Sequence, residues 1–266
     1  MLSATFRFVL PDISNNSVLK DLLRSFRIER PISSSRFQPW DLTLVLRSLT
    51  TSAFEPLQAC SLRQLTKKTL FLLALASAKR IGELQAITKE VSFKDGNAFL
   101  SYLPEFIAKT ESEANPIPRF FELKSLNEFV GDLQDELLLC PVRCLKEYIA
   151  RTKILLPHPR SLFVSPRNPS RQISKNAVSF FIREVISQAV VNDPSPGPST
   201  RVRAHSVRAM STSTAFWKNA SLSSIIQAAS WKSPSVFSSF YLKDVQFASD
   251  QGFSLGPFVA ANHVVT

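Results

Sequence analysis

The chain has 266 residues, and 32 basic against 21 acidic side chains give it a net charge of +11 at neutral pH. A hydrophobic content of 44% is enough to build a core and excludes a chain that is disordered throughout. The excess of positive charge favours a polyanionic partner such as nucleic acid or a membrane surface.

The composition also disfavours several classes of protein. The three cysteines form no C-x-x-C pair and no disulfide framework, so we expect a reducing compartment and no secretion. The longest apolar run, Leu70 to Ala76, is far shorter than the roughly 18 residues of a membrane span. The six glycines form neither G-x-G-x-x-G nor G-x-x-x-x-G-K, which disfavours a nucleotide cofactor. We therefore expect a soluble protein with no membrane and no nucleotide partner.

The first 36 residues are predicted to form one helix and a linker. The apolar residues from Val18 to Phe26 follow a single helical stripe, and residues 30–39 are rich in serine and proline. Asp41 is then predicted to cap a helix that reaches Leu49, the first helix of the main domain.

The middle of the chain changes from helical to strand-like patterns. Apolar residues surround the whole helical period from Ser61 to Ala76, which predicts a buried helix, and a short helix follows from Ile81. A small antiparallel sheet is predicted from a tight turn at 94–97 and from three strand-like runs at 91–93, 98–103 and 106–108.

The second half is predicted to be mainly helical. Helices are expected at Val142–Arg151 and Lys175–Val190, with a strand at 162–164 between them. After the proline-rich break come three short helical segments, near residues 204–217, 221–229 and 234–242. The predicted fold class is therefore mainly α with a small antiparallel β-sheet, an α+β fold, and residues 249–266 are a C-terminal tail.

The segment Arg203 to Met210, "RAHSVRAM", carries the first candidate for chemistry. His205 and Arg208 are three residues apart, so on a helix they share a face and could hold one anion between them. A guanidinium matches two phosphate oxygens, and an imidazole donates or accepts a proton near neutral pH. The pair suits a phosphodiester, although H-x-x-R alone is also typical of a solvated helix end.

Two further segments carry candidates of the same kind. In "SAKRIGELQAI", Arg80 follows a buried helix and Glu83 lies three residues later, either as a surface pair or as an arginine held by its own carboxylate. In "SWKSPSVFSSFYLKD", Trp231 and Tyr241 bracket a short helix, either as core aromatics or as part of a site.

Together and in this order, the three segments resemble the catalytic domain of the tyrosine recombinases, the phage-integrase type. The sequence most resembles the recombinases of DIRS/Ngaro-type retrotransposons. The segments that carry this resemblance are "PWDLTLVLRSLTTSAFEPL", "LALASAKRIGELQAI", "LCPVRCLKEYI" and the segment from Trp231 to "FY" near the end of the domain. The resemblance covers residues 37–245. It implies a catalytic domain at 37–248 that belongs to the fold of DNA breaking and rejoining enzymes, and it makes residues 1–36 the remnant of an N-terminal helical core-binding domain.

The resemblance also assigns roles to residues. The implied catalytic set is Arg80, Lys109, His205, Arg208, Trp231 and Tyr241. Lys109 is chosen because it lies between two strand-like runs, and Lys94 is the alternative. Glu83 is implied to orient the arginines from behind, and backbone phosphates are expected to contact Lys67, Lys68, Arg201, Arg203 and Lys218.

The implied reaction needs neither metal nor cofactor. A tyrosine phenol attacks DNA phosphorus, two arginines stabilise the charge that develops on the non-bridging oxygens, and a 3′-phosphotyrosyl link conserves the bond energy for rejoining. The implied partners are double-stranded DNA and further copies of the chain, as a tetramer on DNA. The expected location is the nucleus if the element is eukaryotic, and otherwise the cytoplasm.

Four other interpretations stay open from the sequence alone. The chain could be a DNA-binding module of this fold that no longer cuts, or a type IB topoisomerase that shares the tyrosine chemistry. It could also be a metal-dependent transposase or nuclease that uses carboxylates. The last is a basic helical scaffold that binds proteins.

Overall fold

The fold is described from a computed structural model of the chain. It describes residues 17–18, 21–22, 24–25, 40–109, 111–113, 116–130, 134–155, 159–191 and 202–243. The chain divides into two compact units, Met1–Ser35 and Arg36–Thr266. In the first unit, the described residues are helical. The rest of the helix predicted from Val18, the linker, the proline-rich break and the C-terminal tail lie outside the described residues.

Two helices open the second unit as the sequence predicts. Helix α1, Leu42–Leu49, is capped by Asp41, whose carboxylate accepts hydrogen bonds from two backbone N–H groups of the first turn at 2.7 and 3.3 Å. Helix α2, Leu62–Ser77, is buried from Leu65 to its end. It forms the centre of the core because three later helices pack around it.

A short helix and a small sheet follow α2. Helix α3, Ile81–Gln85, precedes strands β1 (Ser92–Lys94), β2 (Asn97–Ser101) and β3 (Phe120–Leu123), which form one antiparallel sheet in that order. The predicted tight turn is confirmed, since both of its central residues, Asp95 and Gly96, have positive φ angles.

The predicted strand at 106–108 is wrong, and β3 takes its place. The Ala108 N–H donates to the Glu111 carboxylate at 2.9 Å, and the Glu111 N–H donates back to the Ala108 carbonyl at 3.0 Å. These local bonds use the backbone groups that a strand would offer to the sheet, so residues 106–108 form a loop.

The second half contains the predicted helices and some elements that the sequence did not indicate. In chain order, the elements are α4 (Asn127–Val130), α5 (Gln134–Leu137), α6 (Pro141–Lys153), β4 (Val164–Ser165), β5 (Asn168–Gln172), α7 (Lys175–Val191), α8 (Ser206–Trp217), α9 (Leu222–Ala228), α10 (Pro234–Val236) and a π-helical turn (Phe237–Tyr241). Strand β5 was missed because "NPSRQ" has no apolar alternation. The predicted α+β class is confirmed.

No helix among the described residues is long and apolar enough to span a membrane.

Two lysines predicted to contact DNA are instead part of the core. Lys68 is 0% exposed and donates to the Leu49 carbonyl at 2.7 Å and to the Glu55 carboxylate at 2.5 Å. Lys67 is 2% exposed, and its ammonium lies 3.0 Å from the Glu184 carboxylate. The prediction that these lysines bind DNA is wrong, because the helix that carries them is buried and both ammonium groups are paired with carboxylates.

The Glu55 network gives a stability prediction. Glu55 binds Lys68 and, through both oxygens, Arg143 at 2.7 Å. Glu55→Gln leaves the Lys68 ammonium buried without its counter-charge, so we expect the free energy of unfolding to fall by about 3–5 kcal/mol. Urea unfolding at pH 7 measures this. The control is Glu105→Gln, which breaks the exposed pair with Arg160 and should change stability by less than about 0.5 kcal/mol.

The same network makes stability depend on pH. Burial acts to raise the pKa of Glu55, but the hydrogen bonds from Arg143 and Lys68 outweigh it and leave the pKa below the ordinary value of 4.5. A carboxyl with a lowered folded-state pKa contributes stability above the ordinary pKa and loses it as the pH falls through the lowered one. The loss below pH 4.5 should therefore be smaller in Glu55→Gln, and equal losses would contradict the assignment.

Candidate functional site

The guanidinium of Arg208 lies at the centre of the candidate site. Arg208 is in the first turn of α8 and is 2% exposed. Its Nη1 donates to the carbonyl of Ala78, just past the end of α2, at 2.7 Å, and its Nη2 donates to the carbonyl of Ala229, just past the end of α9. One buried side chain therefore joins the ends of two helices that are far apart in the sequence.

The carboxylate of Glu83 lies between two arginines. One oxygen accepts from the Arg80 N–H at 2.5 Å and is 3.7 Å from Arg208 Nη1, while the other is 3.6 Å from Arg80 Nη1. Glu83 is 2% exposed, whereas 19% of the Arg80 side chain is open to solvent. The carboxylate thus lies beside both predicted arginines on the protein side, and Arg80 is the one that reaches the surface.

Three aromatic rings complete the cluster. The Tyr241 ring centroid is 4.5 Å from that of Trp231 and 5.3 Å from that of His205. The guanidinium carbon of Arg208 is 4.8 Å from the Trp231 ring centroid and 5.6 Å from the Tyr241 centroid. Tyr241 therefore lies against His205, Trp231 and Arg208, three of the residues predicted to share its site.

The π-helical turn decides which aromatic ring faces this cluster. Phe240 is 72% exposed, whereas the next residue, Tyr241, packs against Trp231 and His205. The Tyr241 backbone is fixed to α8, since its carbonyl accepts a hydrogen bond from the Ser213 hydroxyl at 3.0 Å. The phenol is thus placed by the backbone of its own turn and by one bond to α8.

The electrostatics of the site favour an anion. The pKa of His205 lies below its ordinary value because of desolvation first, and because of the positive charges of Arg208, Arg80 and Lys109. Burial, followed by the charge of Arg80, lowers the pKa of Arg208 to about 10, although the Glu83 carboxylate opposes this. Burial is the larger cause of both shifts, and a phosphate would relieve the part that neighbouring positive charges add.

Two buried N–H donors in the cluster also favour an anionic ligand. Neither Arg208 Nε nor Trp231 Nε1 has a hydrogen-bond acceptor among the residues that the structure describes. A buried donor without an acceptor costs about 1–3 kcal/mol, and a bound oxygen would recover that free energy. Within the same residues, no group of three or more His, Cys, Asp or Glu side chains could hold a metal ion.

The remaining predicted residues are placed as follows. Lys109 lies in the loop between β2 and β3 with an exposed side chain, and its charge acts on His205. Lys94 lies at the end of β1 and is also exposed. Arg203 and Lys218 are exposed at the two ends of α8, while Arg201 lies outside the described residues.

Sequence reasoning missed one charged residue at the centre of the site. Lys79 lies directly before Arg80, is buried, and its Nζ donates to the carbonyl of Ala228 at 3.2 Å. The sequence signal that could have indicated this residue is a lysine at the end of a helix that was predicted to be buried on all sides.

Comparison with known proteins identifies the fold. No protein-family model matches the chain, and no curated protein sequence matches it. The crystal structure of XerA recombinase is similar, with a TM-score of 0.51 and 14% identity over 78% of this chain and 61% of that one. The fold is that of a tyrosine recombinase catalytic domain.

Two more solved structures show lower scores. XerH site-specific recombinase bound to its difH substrate gives a TM-score of 0.48 at 13% identity, over 74% of this chain and 47% of that one. A lambda integrase (75–356) dimer bound to a core site gives 0.47 at 16% identity, over 90% and 75%. The chain spans less than two thirds of the length of the XerA and XerH structures.

The charges around His205 give a prediction that also separates the two candidate lysines. Arg80→Gln and Lys109→Gln each remove a positive charge that lowers the His205 pKa, so each should raise that pKa toward the ordinary 6.5. NMR titration of the imidazole protons measures it, with His205→Gln to assign the signal. Lys94→Gln is the matched control, and a rise in that variant equal to the rise in Lys109→Gln would contradict the placement.

Proposed function

We propose that the chain cleaves and rejoins DNA strands through a 3′-phosphotyrosyl intermediate on Tyr241. The observation that carries the proposal is the position of the phenol ring, packed against Trp231 and His205 and 5.6 Å from the Arg208 guanidinium. The fold shared with XerA recombinase supports it.

The first step exchanges one phosphorus–oxygen bond for another. The Tyr241 hydroxyl oxygen attacks phosphorus, the bond from phosphorus to the 5′-oxygen breaks, and the 3′-phosphate stays on the tyrosine. The phenol proton passes to His205, and Lys109 gives a proton to the departing 5′-oxygen. A second 5′-hydroxyl reverses these steps and joins a new strand, so no external energy source is required.

The arginines stabilise the charge that this step develops. Negative charge builds on the two non-bridging oxygens, and guanidinium groups fixed before reaction need no rearrangement to meet it. Glu83 fixes Arg80 and Arg208 relative to each other. The Trp231 indole packs against the phenol and has an N–H available for a phosphate oxygen.

The substrate is double-stranded DNA, and the active form is a tetramer on that DNA. The net charge of +11 supports a polyanionic substrate, and Arg203 and Lys218 are exposed for contact with backbone phosphates. Arg201 stays a prediction for the same contact.

The biological setting belongs to the same proposal. The sequences of the segments that begin at residues 39, 73 and 139 support the proposal that the chain is a recombinase of a DIRS/Ngaro-type retrotransposon. Integration of such an element into a eukaryotic genome requires a nuclear protein, and in any other host the DNA lies in the cytoplasm.

The function is tested by trapping the covalent intermediate. With nicked suicide DNA from the flanking sequence of the element and no added metal, we expect a protein–DNA adduct that survives denaturation. Tyr241→Phe should abolish it, because only a phenol oxygen can form the link. Tyr148→Phe is the matched control, since that phenol is bonded to the Val164 amide in the core, and it should keep the adduct.

The other outcomes identify the alternatives. Tight DNA binding without an adduct would contradict strand cleavage and favour a DNA-binding module of this fold. Cleavage that EDTA abolishes would contradict the tyrosine mechanism and favour a metal-dependent nuclease. Relaxation of supercoiled DNA without strand exchange would favour a topoisomerase.

A further inference from the structure

Lys79 lies in the connection between α2 and α3, where a charged residue is costly. The preceding residue, Ala78, ends α2 in the left-handed conformation with φ of 50°, and the following residue, Arg80, caps α3. Lys79 is 8% exposed. A buried ammonium requires compensating contacts, so the groups around it indicate what it does.

The contacts of Lys79 converge on the carboxyl end of α9. Its Nζ donates to the Ala228 carbonyl at 3.2 Å, and it lies 5.1 Å from the centroid of the Phe121 ring on β3. The Ala229 carbonyl accepts from Arg208. Carbonyl groups at a helix end lack partners within the helix and carry partial negative charge, so two cations are well matched to this position.

The end of α9 leads directly into the segment that carries the phenol. Ser230 turns the chain with a φ of 49°, Trp231 follows, and the π-helical turn ends at Tyr241. The Ser230 N–H donates to the Gln227 carbonyl, and the Trp231 N–H donates to the Ile226 carbonyl, each at 3.0 Å. Because these bonds tie the two residues to α9, whatever holds the end of α9 also sets the position of Trp231.

We propose that Lys79 is a positioning residue that docks the carboxyl end of α9, and with it the segment from Trp231 to Tyr241, onto the connection that carries Arg80. The contacts of Lys79 with the Ala228 carbonyl and the Phe121 ring support the docking. Its effect on cleavage rests on the function proposed for Tyr241.

The charge of Lys79 makes this docking sensitive to pH. Burial is the main cause that lowers the pKa of Lys79 to about 8; Arg208 and Arg80 act in the same direction, and the Glu83 carboxylate opposes them. The uncharged groups that face the ammonium are the Phe121 ring and the Ala228 carbonyl. In the undocked segment the side chain is solvated and keeps the ordinary pKa of 10.5, so loss of the proton near pH 8 removes the burial penalty and the docking strengthens as the pH rises.

Global stability changes in the same direction. Between pH 8 and the ordinary value of 10.5, the unfolded chain binds more protons at Lys79 than the folded chain does. The contribution of Lys79 to the free energy of unfolding therefore rises with pH in this interval. Exchange of residues 229–241 relative to the rest of the core therefore separates the local docking from global stability.

Amide hydrogen exchange of the whole chain tests the docking without DNA. Lys79→Met keeps the length of the side chain and removes the donor, so exchange of residues 229–241 at pH 7 should become about tenfold faster, the effect of losing one hydrogen bond from a charged donor. The matched control is Lys68→Met, which removes another buried lysine of the same region and should not accelerate residues 229–241 relative to the rest of the core.

A pH series on the unmodified chain tests the same contact even if the variant does not fold. After correction for the intrinsic exchange rate, protection of residues 229–241 relative to the rest of the core should rise between pH 7 and 9 in the wild type and stay constant in Lys79→Met. Unchanged protection in both experiments would overturn the proposal.

The cleavage readout separates this proposal from the proposed function. In Lys79→Met, the rate of adduct formation should fall at least tenfold with DNA affinity changed less than twofold. If the wild type forms no adduct, the proposed function fails, and the exchange experiments still decide the docking. A normal adduct rate with accelerated exchange would overturn the link from docking to cleavage.

Discussion

The site depends on one buried guanidinium that binds two helix ends. Among the described side chains, only that of Arg208 bonds to both the Ala78 and the Ala229 carbonyls. Those carbonyls belong to chain segments 151 residues apart, since 229 − 78 is 151. The Glu83 carboxylate makes this position tolerable for a cation, because it lies 3.7 Å from the guanidinium and is itself buried. The arginines, the carboxylate and the aromatic rings therefore form one unit, and a change in any member alters the electrostatics of the others.

The elements that the sequence predicted well are those whose own residues carry the signal. Asp41 caps its helix as predicted, and the apolar period of α2 correctly indicated that this helix is buried. Local patterns singled out the candidate residues Arg80, His205, Arg208, Trp231 and Tyr241, and the resemblance to a family assigned their roles, which stay predictions. The local spacing of residues 80 and 83 predicted only part of the bonding of Glu83. It indicated the pair with Arg80, and it carried no signal for the contact with Arg208.

The errors at the lysines originate in tertiary contacts that no local pattern shows, and the error at 106–108 originates in a bond to a residue just past the pattern. Lys67 and Lys68 look like surface charges because a lysine is rarely buried, and only their acidic partners, Glu184 and Glu55, allow it here. Lys79 was passed over for the same reason. The loop at 106–108 looked like a strand until Glu111 took up its backbone groups. In each case a carboxylate or carbonyl distant in the sequence, or just past the pattern, decides the outcome.

The π-helical turn at Phe237–Tyr241 has a mechanical consequence for the phenol. A π-helical turn holds one residue more than an α-helical turn, so it closes with a different set of backbone hydrogen bonds. Rewinding it into an α-helix advances the side chain at position 241 by about 100° around the helix axis. Such a rotation would carry the hydroxyl away from His205 and Arg208 without any movement of α8 or α9. The reach of the Tyr241 hydroxyl is thus a property of one turn of backbone, and it can be gained or lost by the exchange of a few main-chain hydrogen bonds.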